Sequence, residues 1–177
     1  GEEEITERDE EHNGEIWVCG PQVMKGYLNQ EEETAAEITL DDEGRRWLHT
    51  GDIGWMDEHG RIAISDRKKQ LIKHRGYSVF PKDVESLLGM HDSISEVAVA
   101  GLPDPDGKVG EIIKAWVVLE KGKDVDEEAV LAWAKENMTH YKVPRYVDFI
   151  DELPKTLVGK VLRRELQEAD PLFKRKD

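Results

Sequence analysis

The chain has 177 residues, and 25 Lys and Arg against 39 Asp and Glu leave a formal net charge of −14. That length suits one full domain, or a modest domain with an appended piece of another, and the negative charge disfavours nucleic acid and anionic membrane surfaces as partners of this body. The single cysteine, Cys19, excludes a disulfide framework, and no run approaches the roughly 18 apolar residues of a membrane span, which points to a soluble protein of a reducing compartment, by default the cytoplasm.

The first ten residues, GEEEITERDE, hold one apolar side chain among five Glu, one Asp and one Arg, too little apolar surface to offset the entropy of ordering them. No Met starts the chain and no charged-then-apolar leader follows, so the sequence reads as a piece of something larger. Short strands broken by turns then run from Glu15 to Ser65. The first is Glu15 to Cys19, with Cys19 read as a small buried hydrophobe. Gly20-Pro21 turns the chain, a short helix covers Glu31 to Ile38, and RRWLHT is strand-like. Asp57-Glu58-His59-Gly60 joins Ile53–Met56 to Arg61–Ile64 as a hairpin. The charged run Asp66-Arg67-Lys68-Lys69 suits a solvated linker, and it divides the chain into residues 1–65 and 66–177.

Beyond it the pattern becomes mixed. Gln70–Lys73 and Tyr77–Phe80 are strand-like about a turn at Gly76, and Pro81 opens a helix at a position where its missing N–H is harmless. Val84, Leu87 and Leu88 give that helix an apolar face. Two strands, Glu96–Leu102 and Glu111–Leu119, flank a long exposed loop, PDPDGKVG. Asp126 caps a helix on which Val130, Leu131, Ala134 and Met138 recur at helical spacing. Tyr146–Ile150 reads as a third strand, Leu153–Gly159 as a flexible loop and Val161–Ala169 as a terminal helix. The fold class is α+β: a small mixed domain, a short sheet with packed helices, preceded by β-rich strands from the end of a larger domain.

No HExxH, paired CxxC, GxSxG or GxxxxGK[ST] is present, and no metal site is expected. His74, between Lys73 and Arg75, reads as a solvated surface histidine rather than a ligand. Three constellations remain. Thr50-Gly51-Asp52, at the end of a strand, either presents a carboxylate to two adjacent sugar hydroxyls or forms an Asx-type turn. Arg67, Lys68, Lys69, Lys73 and Arg75 place five cations within nine residues, which reads first as a solvated linker and otherwise as a site for a phosphate-rich ligand. Gly76 among them lets a thin ligand pass near the backbone, or is simply a turn. In LPKTLVGK, Lys160 follows a glycine at the start of a helix bearing Arg163 and Arg164, so its ammonium has the reach for a carboxylate or phosphate. Pro154 stands where the first glycine of a P-loop would be, which rules out a self-contained nucleotide cradle.

Taken together and in order, GEIWVCGPQVMKGYLN, WLHTGDIGWMDEHGRI, SDRKKQLIKHRGYSVFPKDVE, YKVP and ELPKTLVGKVLRREL resemble the C-terminal motifs of the adenylate-forming superfamily, with DRKKQLI and the run from YKVP onward most similar to long-chain fatty-acid CoA ligases. The resemblance implies a C-terminal lid domain at 66–177, the end of the large AMP-binding domain at 1–65, and an acid–thiol ligase in the complete protein. It implies ATP and CoA as co-substrates, a fatty acid or other carboxylic acid as substrate, and Mg²⁺ held in a part N-terminal to Gly1. By the same resemblance Asp52 binds the ribose hydroxyls, Arg67 contacts the nucleotide and Lys69 is the hinge. Lys73 approaches the adenylate during thioester formation, pantetheine threads beside Gly76, and Lys160 is the catalytic lysine of adenylation. Medium-chain, aromatic or aminoacyl substrates remain alternatives, as does a non-catalytic lid-like binding module. The resemblance leaves open the oligomeric state and any peripheral membrane contact of the complete protein, and it implies that this chain alone is inactive.

Overall fold

The computed structural model describes residues 12–173; the acidic tract over the first ten residues lies outside them. The chain divides into two compact units, Gly1–Lys69 and Gln70–Asp177.

The first unit is built on one long strand. β1 (Gly14–Cys19), α1 (Glu31–Glu37) and β2 (Ile38–Leu40) precede β3 (Arg46–Met56), and β4 (Ile62–Arg67) follows it. β1 pairs antiparallel along one edge of β3, while β2 and β4 take the other edge at opposite ends, β2 against Arg46–Leu48 and β4 against Asp52–Met56. Two turns of the same chemistry close this sheet. In Asp41–Arg45 and again in Asp57–Arg61, the aspartate Oδ1 accepts from backbone N–H groups two and four residues on, and the arginine Nε donates to Oδ2. Those bonds, led by the Arg61 N–H for Asp57 and by the Trp47 indole N–H for Asp41, hold both carboxyls below their usual range. The expected hairpin at residues 57–60 is therefore present. The Asp66 part of the expected linker is not: Asp66 and Arg67 end β4, and Asp66 is buried, since the strand pairs through to Arg67↔Asp52.

The second unit starts with a hairpin, β5 (Ile72–His74) and β6 (Tyr77–Val79), followed by α2 (Pro81–Leu88). Pro81 does occupy the first turn of α2, where no intrahelical donor is lost. β7 (Ile94–Pro103) and β8 (Glu111–Leu119) pair antiparallel, and α3 (Glu127–Asn137) crosses over to β9 (Tyr146–Phe149), which pairs parallel to β8. Asp126 caps α3 as expected, accepting from Ala129 N–H at 2.8 Å. α4 (Arg163–Ala169) closes the fold.

Alternation along the strands splits this unit's core in two. Val99, Ile113, Ala115 and Val117 face α2, α3 and the hairpin residues Ile72 and Val79. Ala98, Ala100, Leu102, Ile112 and Trp116 face Leu153 and the α4 residue Leu166. Fully buried side chains such as Val99 and Ile113 each contribute about 1.5–3 kcal/mol of burial free energy, which makes this three-stranded sheet a firm floor with a distinct structure on either side. The loop between β7 and β8, expected as exposed, is anchored at its first residue. Asp104 is buried and accepts from the N–H groups of Asp106, Lys108 and Val109 and from Arg145 Nη1. Burial raises its carboxyl pKa, yet these bonds more than offset that and the net shift is downward.

Candidate functional site

Thr50-Gly51-Asp52 is not at a strand end. Register jumps from Glu15↔Ile53 to Trp17↔His49, so these three residues stand opposite Ile16 alone and form a bulge in the middle of β3. Gly51 supplies the left-handed backbone this requires, at φ 68°. The bulge is tied down by three hydrogen bonds. Thr50 Oγ1 donates to the Ile16 carbonyl at 2.7 Å, Gly51 N–H donates to Glu15 Oε1 at 3.2 Å, and Asp52 N–H donates to Thr50 Oγ1 at 3.1 Å. Burial raises the Glu15 pKa, but hydrogen bonds from Lys68 and Trp17 outweigh it and the carboxyl titrates below its ordinary value. On the other edge Arg67 is the register partner of Asp52, with Nε 2.7 Å from Oδ1 and Nη1 on the Thr50 carbonyl at 3.2 Å. Two of the sequence candidates thus meet in a rigid pair, with no further donor to the Asp52 carboxylate among the described residues. Lys69, the last residue of this unit, is almost wholly exposed, with Glu37 at 3.8 Å.

The remaining candidates belong to the second unit and lie on opposite sides of its sheet. The β5–β6 hairpin packs on the α2–α3 side. Its two-residue turn has φ 51° at Arg75 and 82° at Gly76, both left-handed, as the twist of a tight hairpin demands. A Cβ at Gly76 would meet open space, so backbone conformation and not crowding makes the glycine necessary. Lys73 presents its ammonium to Ser78 Oγ at 2.6 Å, and its N–H donates to Glu111 Oε2 at 2.7 Å. His74, expected at the surface, is buried, with Nδ1 2.7 Å from the Glu111 carbonyl. The hairpin folds it inward because Arg75 N–H donates to the Val109 carbonyl at 2.9 Å. A cavity of about 540 Å³ opens beside this turn, with Arg75, Lys135, His140 and Arg145 among its walls.

The Lys160 segment packs on the α4 side through Leu153 and Val161. It is not the loose loop expected. Lys155 and Val161 form a β-bridge, Thr156 N–H donates to the Lys160 carbonyl at 2.8 Å, Gly159 N–H returns to the Thr156 carbonyl at 2.8 Å, and Thr156 Oγ1 accepts from Lys160 N–H at 3.1 Å. Leu157 and Val158 form an exposed apolar tip. Within this stretch Lys155 pairs with Glu96, Arg163 with Glu85 and Arg164 with Glu168. Arg163 and Arg164, the helix cations next to Lys160, are therefore already neutralised. Lys160 is exposed, and among the described residues its ammonium has no ion-pair partner. Two charge clusters were missed from the sequence: the pair Arg163–Glu85, which had no local signal, and Lys114 with Asp148 and Asp170. For Lys114 the hint was its position between Ile112 and Trp116 on an otherwise apolar strand face.

Residues 83–160 match the AMP-binding enzyme C-terminal domain. The chain carries the C-terminal domain of the AMP-binding, adenylate-forming enzymes. This family's long-chain-fatty-acid–CoA ligase from Bacillus subtilis (strain 168) is 51% identical over 158 residues, covering 89% of this chain and 27% of the relative. 4-Coumarate–CoA ligase 2 of Oryza sativa subsp. japonica is 47% identical over 154 residues, covering 87% and 26%. Among solved structures, ATP-bound MatB from Rhodopseudomonas palustris superposes with a TM-score of 0.79 at 37% identity, covering 90% of this chain and 31% of that one. The o-succinylbenzoate CoA synthetase MenE from Bacillus subtilis, in complex with its acyl-adenylate intermediate, gives 0.72 at 35%, covering 92% and 32%. The chain spans under a third of the length of these family members.

Proposed function

We propose that this chain is the C-terminal part of an ATP-dependent acyl-CoA ligase acting on long-chain fatty acids in the cytoplasm, with the second unit, Gln70–Asp177, as its lid. The observation that carries the reading is the uncommitted Lys160 ammonium, at the mouth of a tied hairpin whose neighbouring cations all have carboxylate partners.

In the first half-reaction a substrate carboxylate oxygen attacks the α-phosphorus of ATP and pyrophosphate leaves. Negative charge gathers on the carboxylate and phosphoryl oxygens, and Lys160, with no competing partner to give up, stabilises it. Asp52 receives the ribose hydroxyls through the oxygen that Arg67 leaves open, while Arg67 holds the carboxylate in place and contacts the nucleotide. In the second half-reaction the CoA thiol attacks the acyl carbonyl and AMP departs. The β5–β6 hairpin serves this step: pantetheine passes the open backbone at Gly76, Lys73 turns from Ser78 to the adenylate, and the basic cavity beside Arg75 suits the phosphate groups of CoA. Because hairpin and Lys160 segment flank one sheet on opposite sides, rotation about Lys69 exchanges one for the other. The cradle for the ATP phosphates, the Mg²⁺ ligands and the acyl pocket belong to the rest of the enzyme.

A second reading substitutes an aromatic acid for the fatty acid, and the 47% identity to a 4-coumarate–CoA ligase favours it. ATP–pyrophosphate exchange by the complete enzyme across a panel of carboxylic acids separates the two. Exchange driven by long-chain acids supports the first, exchange driven by cinnamic-type acids the second, and none with any acid contradicts both.

A further inference from the structure

We propose that Arg163 is a positioning residue for Lys160, binding the base of the Lys160 hairpin and the first residue of the second unit into one cluster; the inference rests on the role given to Lys160 above. Arg163 lies three residues beyond Lys160, in the first turn of α4. Its Nε donates to Glu85 Oε1 at 3.0 Å, its Nη2 to Oε1 at 2.8 Å and to Oε2 at 2.7 Å, and its Nη1 to Gln70 Oε1 at 3.3 Å. The two charged side chains are only 14% and 16% exposed, in contrast to Arg164, which is 85% exposed opposite Glu168.

The cluster wraps the free edge of the sheet. β7 is the outer strand of the order β7-β8-β9, and its unpaired Val99 N–H donates to Glu85 Oε1 at 2.8 Å. One turn along α4, Gln167 Nε2 donates to the Gly101 carbonyl of the same strand at 2.7 Å. α4 has seven residues, too few to hold a helix without tertiary anchors, and these polar contacts together with buried Leu166 provide them. Backwards from Arg163, Leu162 N–H donates to the Pro154 carbonyl at 2.8 Å and Val161 bridges Lys155, so the guanidinium fixes both stems of the hairpin that bears Lys160. Gln70, bonded to the same guanidinium, follows directly on Lys69, where the units divide. A buried ion pair adds little net stability over an apolar substitute. What it does supply is one geometry, because a planar fork meeting a carboxylate admits few orientations and a lysine cannot reproduce it.

Arg163→Lys tests this, since it keeps the charge and removes the fork. In the 177-residue chain, exchange of the Thr156, Gly159, Lys160 and Leu162 amide hydrogens is expected to quicken about tenfold, while the Ile113–Val117 amides stay unchanged. Gln70→Ala, which removes one of the four bonds, should quicken the same loop amides by a smaller factor. Unchanged loop amides, or equal quickening of loop and β8, would overturn the proposal. In the complete enzyme Arg163→Lys should lower kcat for adenylate formation with KM for ATP held, and spare thioester formation from supplied acyl-adenylate; equal loss in both steps would also overturn it. Should Lys160→Ala leave adenylation intact, the ligase role of Lys160 fails, and the exchange measurement still decides whether Arg163 orders the hairpin.

Discussion

Lys114 and Lys160 belong to the same side of the same sheet, and their surroundings are opposite. Lys114, on β8, is 5% exposed, with its ammonium 2.6 Å from Asp170, 2.7 Å from Asp148 and 5.6 Å from the centre of the Trp116 ring. Lys160 stands exposed at the end of a hairpin whose stems are hydrogen-bonded to each other, and its ammonium has no ion-pair partner among the described residues. A buried charge needs a full set of partners because leaving water costs several kcal/mol per ion. An exposed ammonium on a rigid stem has no such requirement, and so it stays available to an arriving anion. The difference separates a charge that holds the fold from one that the fold leaves unengaged, the one proposed above to meet the substrate.

Variants that erase either environment sharpen the contrast. Lys114→Ala leaves Asp170, whose side chain is 1% exposed, buried without its cation; denaturant unfolding should show a loss of about 3–5 kcal/mol. The same cluster makes an alkaline prediction. Burial pushes the Lys114 pKa down, the bonds to Asp148 and Asp170 push it up by more, and the net shift lies above the ordinary 10.5. A raised folded-state pKa means the contribution is complete below the unfolded value and disappears as pH rises through the folded one. The urea midpoint should therefore fall as pH rises above about 10.4, the unfolded lysine value, and Lys114→Met should lack that part of the decline. Lys155→Gln breaks a pair whose members are 36% and 40% exposed and should cost only about 0–1 kcal/mol. Lys160→Ala should change stability least, within about 0.5 kcal/mol by thermal unfolding. A large loss there would mean that Lys160 is a structural cation like Lys114, and the contrast would break.

Local signals were legible where short-range chemistry decides. Asp57–Gly60 as a hairpin, Pro81 at a helix start, Asp126 as a cap and the Arg75-Gly76 turn all depend on neighbours within four residues, and all are in the fold. The α+β class also followed from the change of periodicity after Lys69. Burial of polar groups was not legible. Asp66 and His74 were read as solvated because charged residues surround them in the chain. The structure turns them inward through strand pairing with Ile53 and a contact with the Glu111 carbonyl. Arg163 finds Glu85 across 78 residues of sequence, a distance no local pattern spans. Of the candidate site, Asp52 and Arg67 were singled out as residues, but only the β3–β4 register, in which they are partners, explains why they meet.

The most direct test of the account is to measure both half-reactions of the complete enzyme carrying Lys160→Ala. ATP–pyrophosphate exchange should fall to background while CoA thioester formation from supplied acyl-adenylate proceeds at a rate near that of the parent. Undiminished pyrophosphate exchange, or matching losses in the two steps, would contradict the claim that the open ammonium of Lys160 acts in adenylation.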